Sequence, residues 1–221
     1  MENKELFLKD AAEALSAIYD QLEALPGVSL EAFPAASSAL LVIDMVNGFV
    51  KRGALSSPRV EAINERVAQL CRSCAARGIP MLAFCDSHTE ESPEFESYPV
   101  HCLQGDEESA LTGEVAAAGR FTVIPKNSTN GFLEPAFAEW LGAHPQVDSF
   151  LLAGDCTDLC VQQLALTLKA DFNRRNRRCR VVVPRALVET YDLGAHNAAL
   201  CNVMALYNMS VNGVELCADV G

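Results

Sequence analysis

A cysteine, an aspartate and a lysine stand at the ends of three apolar runs, and together they could carry out nucleophilic attack on a carbonyl. Cys160 lies in SFLLAGDCTDLCV, where the run Phe150 to Ala153 breaks at Gly154, passes Asp155-Cys156 and enters Thr157-Asp158, a natural helix N-cap. A strand that turns abruptly into a helix leaves backbone N–H groups unpaired and a positive dipole end at the turn. A thiol in that first helical turn is expected to favour its thiolate. On this stretch alone it could equally be small apolar packing. Asp44 ends the run ALLVID and Lys126 ends RFTVIPK. Asp44 is expected to take the thiol proton and later deliver it to a leaving amine, and Lys126 to hold the thiolate as a fixed cation. The backbone N–H groups of Cys156 and Cys160 could hold the oxyanion formed on attack. Either charged residue by itself would be a salt bridge at a sheet edge. No histidine suits a Cys–His pair: His144 lies at a helix end beside Pro145 and His196 within the last predicted helix, so both are taken as structural or solvent-facing.

A metal pattern ends another apolar run. Asp86-Ser87-His88 places an acid and an imidazole on one side of an extended segment, and His101 follows in YPVHC. Three N/O ligands with positions left open for water or substrate suit a catalytic divalent ion, Zn²⁺ first, with Fe²⁺ or Mn²⁺ as alternatives. Cys71 and Cys74 sit in a helical pattern with no second pair at zinc spacing, and are taken as helix filler.

These residues need a scaffold that brings strand ends together. From Ala39 onward strands (39–44, 79–86, 120–126, 147–154, 179–184, 209–214) alternate with helices (58–77, 135–144, 158–173, 193–208). Such βα repetition predicts a Rossmann-like three-layer αβα sandwich on a mainly parallel six-stranded sheet. Ligands bind outside the carboxyl ends of such strands. Asp44, Asp86 with His88, Lys126 and the turn bearing Cys160 would all share that edge, and their convergence is what favours an active site over separate buried charges. The long stretch from Ser87 to Gly105 is expected to be functional. Residues 5–25 carry helix periodicity and stop at Pro26-Gly27, so residues 1–38 are expected to form a helical extension on a domain spanning 39–221, packed on it or on a partner subunit.

Composition narrows the partners. Seventeen basic against 29 acidic residues give the 221-residue chain a net charge of −12, which disfavours nucleic acid and anionic membranes. No apolar run approaches the ~18 residues of a membrane span, and the charged, amphipathic start is unlike a signal peptide. Nine cysteines without an export signal suggest reduced thiols in the cytoplasm. A small-molecule substrate and a homo-oligomer are expected.

LVIDMVNGFV, VIPKNSTNGF and GDCTDLCV resemble, in order and spacing, the Asp, Lys and Cys motifs of the isochorismatase-like cysteine hydrolases, across about 39–212. CDSH followed by YPVHCLQG is similar to the metal segment of the nicotinamidases, which isochorismatases proper lack. The resemblance implies an amidase acting on nicotinamide or a related small amide: Cys160 nucleophile, Asp44 base, Lys126 thiolate partner, and Asp86, His88 and His101 on the metal. It also implies that Phe49 and Tyr98 are rings that hold a flat heteroaromatic amide by stacking, and that the Asp155-Cys156 peptide is cis. The sequence departs from the pattern at Ser87 and Thr89, where Trp and Pro are common, and at Asp155-Cys156, where small apolar residues are usual. Two rivals accompany this reading: a superfamily hydrolase for another amide, a carbamoyl compound or a vinyl ether, and a non-catalytic binding or assembly member.

Overall fold

A computed structural model describes residues 3–221. Its elements run α1 (Lys4–Glu23), β1 (Ser38–Ile43), α2 (Asn47–Val50), α3 (Pro58–Ala76), β2 (Met81–Asp86), α4 (Gly113–Ala116), β3 (Thr122–Lys126), α5 (Pro135–Ala143), β4 (Ser149–Asp155), α6 (Gln162–Arg174), β5 (Arg180–Pro184), β6 (Val188–Glu189), α7 (Ala198–Val211) and β7 (Glu215–Cys217). The sheet order is β3-β2-β1-β4-β5-β7, with β6 added to the end of β4. All of these pairings are parallel, so the strands present their carboxyl ends at one edge.

Every residue of β1, β2 and β4 is buried, because helices cover both faces of the sheet. Leu41, Ile43, Phe84, Phe150 and Leu152 pack on one face with α5, α6 and α7, and Leu40, Val42, Met81 and Leu151 on the other with α3. Local chemistry sets the helix ends. In α3, Ser57 caps the first turn by accepting from Arg59 N–H, Pro58 follows it, and Gly78 leaves in a left-handed conformation (φ 71°). The residues before β1 share the same core: Leu22 joins one cluster, Leu30 and Phe33 the other, and Val28 pairs with Val220.

The last third of the chain differs from expectation. The segment 209–214 is not a strand: α7 continues to Val211, Gly213 turns the chain (φ 83°), and the strand forms at Glu215–Cys217. The same helix starts at Ala198 rather than 193, because Asn197 caps it through Leu200 N–H. His196 therefore lies in the preceding loop. The two residues of β6 were not foreseen, being too short for periodicity to register.

Candidate active site

Register places the charged residues. Asp86 pairs with Lys126 across β2 and β3, and Ile43 with Phe84 across β1 and β2, so Asp44, just past β1, reaches the same level. Asp44 holds a left-handed backbone (φ 52°), donates its N–H to Phe84 O at 2.9 Å and accepts from Asp86 N–H on Oδ1 at 3.0 Å. Its Oδ2 lies 2.9 Å from Lys126 Nζ. Lys126 Nζ also donates to Asp86 Oδ1, to Ser128 O at 3.2 Å and toward Cys160 Sγ at 3.5 Å. One buried ammonium thus joins both carboxylates and the thiol.

The turn that carries Cys160 is built on a close strand approach. At Gly154 (φ 128°) a Cβ would meet Ile43 O at 1.9 Å, so only glycine lets β4 lie against β1 here. A cis peptide follows between Asp155 and Cys156. Cys156 O then accepts from both Leu159 N–H and Val161 N–H at 3.1 Å, drawing Thr157–Val161 into one π-helical turn before α6. Cys156 and Cys160 consequently line the same cavity.

Burial governs the protonation states. It pushes the Cys160 thiol well up, with Lys126 only partly opposing it, so the resting group is a thiol and not the thiolate that a helix N-terminus alone would favour. Burial, then the neighbouring Asp86, push Asp44 up to about 7 against the pull of Lys126. Burial works against ionisation of Asp86 too, but Lys126 and the two histidines override it and hold the carboxyl well below the usual range. Lys126 stays charged because Asp44 and Asp86 outweigh its own desolvation. Asp155 is different. Buried beside Cys156, with burial outweighing that contact, its carboxyl is pushed well above the usual carboxylate range.

Asp86, His88 and His101 converge beside the thiol. Asp86 Oδ2 lies 3.4 Å from His88 Nε2 and 3.5 Å from His101 Nε2, while its other oxygen faces Lys126. His101 is brought back by a parallel bridge between His88 and Leu103, with His88 N–H donating to Cys102 O at 2.9 Å. The donor set fits a divalent ion. His101 Nδ1 lies 2.8 Å from Pro99 O and His88 Nδ1 3.3 Å from Asn127 Oδ1, so each ring can donate from Nδ1 and turn its Nε2 lone pair inward. His88 Nε2 is buried without a hydrogen-bond partner among the described residues.

The rings Phe49, Tyr98 and His101 share the cavity with Asp86, Cys156 and Cys160. Phe49 lies 5.5 Å and Tyr98 6.3 Å from the His101 ring. Sequence reasoning missed Glu94, Leu159 and Tyr191 on its wall, and Phe95, 5.5 Å from the His88 ring. Leu159 sits inside the quoted TDLCV motif, and the others lie in irregular segments where no spacing signals a wall. His144 is structural as expected, stacked on Trp140 at 4.1 Å, and Cys71 and Cys74 are buried in α3. His196, expected to be structural or solvent-facing, is partly buried with its Nε2 2.7 Å from Asp158 Oδ2.

The Isochorismatase domain matches residues 38–211. The chain belongs to the isochorismatase family. It is 31% identical over 183 residues to Nicotinamidase 1 of Arabidopsis thaliana, covering 73% of each chain. Among solved structures, N-carbamoylsarcosine amidase from Thermoplasma acidophilum is 26% identical with a TM-score of 0.66, over 82% of this chain and 95% of that one. The pyrazinamidase of Pyrococcus horikoshii, solved in complex with zinc, is 23% identical with a TM-score of 0.66, over 81% and 98%. Ser87 and Thr89 flank His88 without entering the cavity lining.

Proposed function

We propose that the protein is a cysteine amidohydrolase of the nicotinamidase type, converting nicotinamide or a close heteroaromatic carboxamide to the acid and ammonia through a thioester on Cys160. The observation that carries the substrate class is the charge of the cavity wall. Glu94 and Asp86 line it, no described Arg or Lys does, and Lys126 is already committed to Asp44, Asp86 and Cys160. A substrate bearing a carboxylate of its own, such as an N-carbamoyl amino acid, would add a third negative charge with no Arg or Lys to pair it, whereas a neutral flat amide between Phe49 and Tyr98 would not.

Asp44 takes the Cys160 proton, for which a group near neutrality is suited. The sulfur attacks the carboxamide carbon while Lys126 offsets the charge on sulfur. The N–H groups of Cys156 and Cys160 stabilise the oxyanion. Asp44 returns the proton to the leaving nitrogen, and ammonia departs. Water, deprotonated by the same Asp44, attacks the thioester; acid leaves and Cys160 regains its proton. Asp86, His88 and His101 would hold a divalent ion, zinc first and iron or manganese as alternatives. Bound there it supplies positive potential and a Lewis-acid contact for the substrate's heteroatom. The zinc recorded in the pyrazinamidase relative supports that order.

Residues 39–221 are the proposed catalytic unit and 1–38 its extension. A cytoplasmic setting is supported by nine free cysteines, and no helix among the described residues is long and apolar enough to cross a membrane. Exposed apolar side chains on α1 and α7, including Leu6, Phe7, Met204 and Val211, support self-association; a monomer by light scattering would remove that part. The activity is tested by ammonia release from a panel of amides at measured metal content. Nicotinamide should be turned over and N-carbamoylsarcosine should not; the reverse order would replace this reading with the carbamoyl hydrolase.

A further inference from the structure

A second set of ligand-type side chains meets at the rim of the cavity. Asp158 belongs to the turn that carries Cys160, His196 to the loop before α7, and Cys201 to the first turns of α7. Their ligand atoms lie within 4.8 Å of one another, and all three residues are partly buried, so a path from solvent remains.

The His196 ring poses a hydrogen-bonding problem. Its Nδ1 lies 2.8 Å from Tyr191 O and its Nε2 2.7 Å from Asp158 Oδ2, so an acceptor faces each nitrogen. A neutral imidazole has one N–H. A further proton, on the ring or on the Asp158 carboxyl, or a metal ion must therefore lie between His196 and Asp158. The neighbourhood favours the metal. Asp158 Oδ1 is buried without a hydrogen-bond partner among the described residues, and the Cys201 thiol faces the same carboxylate. An imidazolium–carboxylate pair leaves the thiol only a weak hydrogen bond to the carboxylate, whereas a borderline-soft ion takes N, O and S donors together. The Tyr191 carbonyl on Nδ1 is the kind of outer partner that orients a ligating histidine.

We propose that Asp158, His196 and Cys201 form a second transition-metal site, of Zn²⁺ class, separate from Asp86, His88 and His101 and sharing no ligand with them. The ion takes the His196 Nε2 lone pair, an Asp158 carboxylate oxygen and the Cys201 thiolate, with water as fourth ligand; the thiol proton passes to solvent on binding. Tetrahedral bonds of ~2.0–2.3 Å separate ligands by roughly 3.3–3.7 Å. His196 and Asp158 need to part by about 1 Å or less from their present contact, and the other separations, all within 4.8 Å, need to close by at most about 1.5 Å. Position gives the site its consequence. The Tyr191 ring stacks on His196 at 4.2 Å and lines the cavity, and Asp158 lies in the turn of Cys160. An ion here ties that wall to the nucleophile's turn, whatever the cavity hydrolyses.

The test is Co²⁺ titration of the metal-freed full-length protein, with zinc content of the zinc-dialysed protein measured in parallel. The inner ligands are oxygen and nitrogen only, so a thiolate-to-cobalt charge-transfer band in the near ultraviolet reports the rim. The expected result is two ions per chain and a band that persists in Cys160→Ser and His101→Ala but vanishes in Cys201→Ser, which keeps one ion. One ion per chain without the band in the wild-type protein overturns the proposal, as does a band that survives Cys201→Ser. The wild-type result stands even if a variant fails to fold.

Discussion

Two halves of the cavity are built in different ways. Asp44, Asp86 and Lys126 stand at the ends of β1, β2 and β3, where continuous parallel register fixes them in the buried sheet edge. His101, Tyr98, Glu94 and Tyr191 hang on irregular segments and reach the same space through single contacts, such as the His88–Leu103 bridge or the stack of Tyr191 on His196. The contrast separates tasks. Moving a proton between sulfur and a carboxylate needs charges held at fixed distances in low dielectric, which a sheet supplies. Choosing a substrate needs walls that can differ from one family member to the next, which loops allow.

If that division holds, variants in the strand-borne half should cost turnover and stability, and variants in the loop-borne half should cost binding. Asp44→Asn is expected to lower kcat by ~10³-fold with KM little changed, by steady-state ammonia release; a purely KM effect would break the comparison. Lys126→Met leaves two buried carboxyl groups without their ammonium and should cost about 3–5 kcal/mol in urea unfolding. A loss below ~1 kcal/mol would show that the charges relax elsewhere. His101→Ala should release the inner ion and raise KM by ~10–100-fold; unchanged metal content and KM would remove His101 from the ligand set.

Protonation sharpens the contrast further. Burial and Asp86 raise Asp44 to about 7, so below that pH it carries a proton and cannot accept another. Activity should therefore fall toward acid by about tenfold per pH unit in kcat/KM, and a flat profile down to about pH 5 would contradict the base assignment. The smallest effect is expected at Tyr191→Phe. The ring and its stack remain, so KM should move by less than about threefold, whereas Tyr191→Ala should raise it by about tenfold with kcat nearly unchanged.

How far the sequence carried follows the same division. The βα alternation and the gathering of Asp44, Asp86 and Lys126 at one sheet edge were legible because apolar runs ending in those residues are strong local signals in a parallel sheet. The protonation of Cys160 was not. Helix-terminus logic favours thiolate, and only the packed structure shows that burial outweighs it. The upward push on the Asp155 carboxyl is likewise a property of its buried surroundings. Tyr191 and Glu94 carry no pattern of their own; they reach the cavity through loop paths that periodicity does not encode. The misplaced last strand has the same origin, since MSVNGV is as apolar as a strand but Gly213 turns the chain before pairing begins.

The central claim is that Cys160, held between Asp44 and Lys126, forms the bond to substrate. Ammonia release from nicotinamide by Cys160→Ala, compared with wild type at equal metal content, tests it most directly. A fall of at least ~10⁴-fold with the inner ion retained is the predicted result. Turnover within about tenfold of wild type would contradict it.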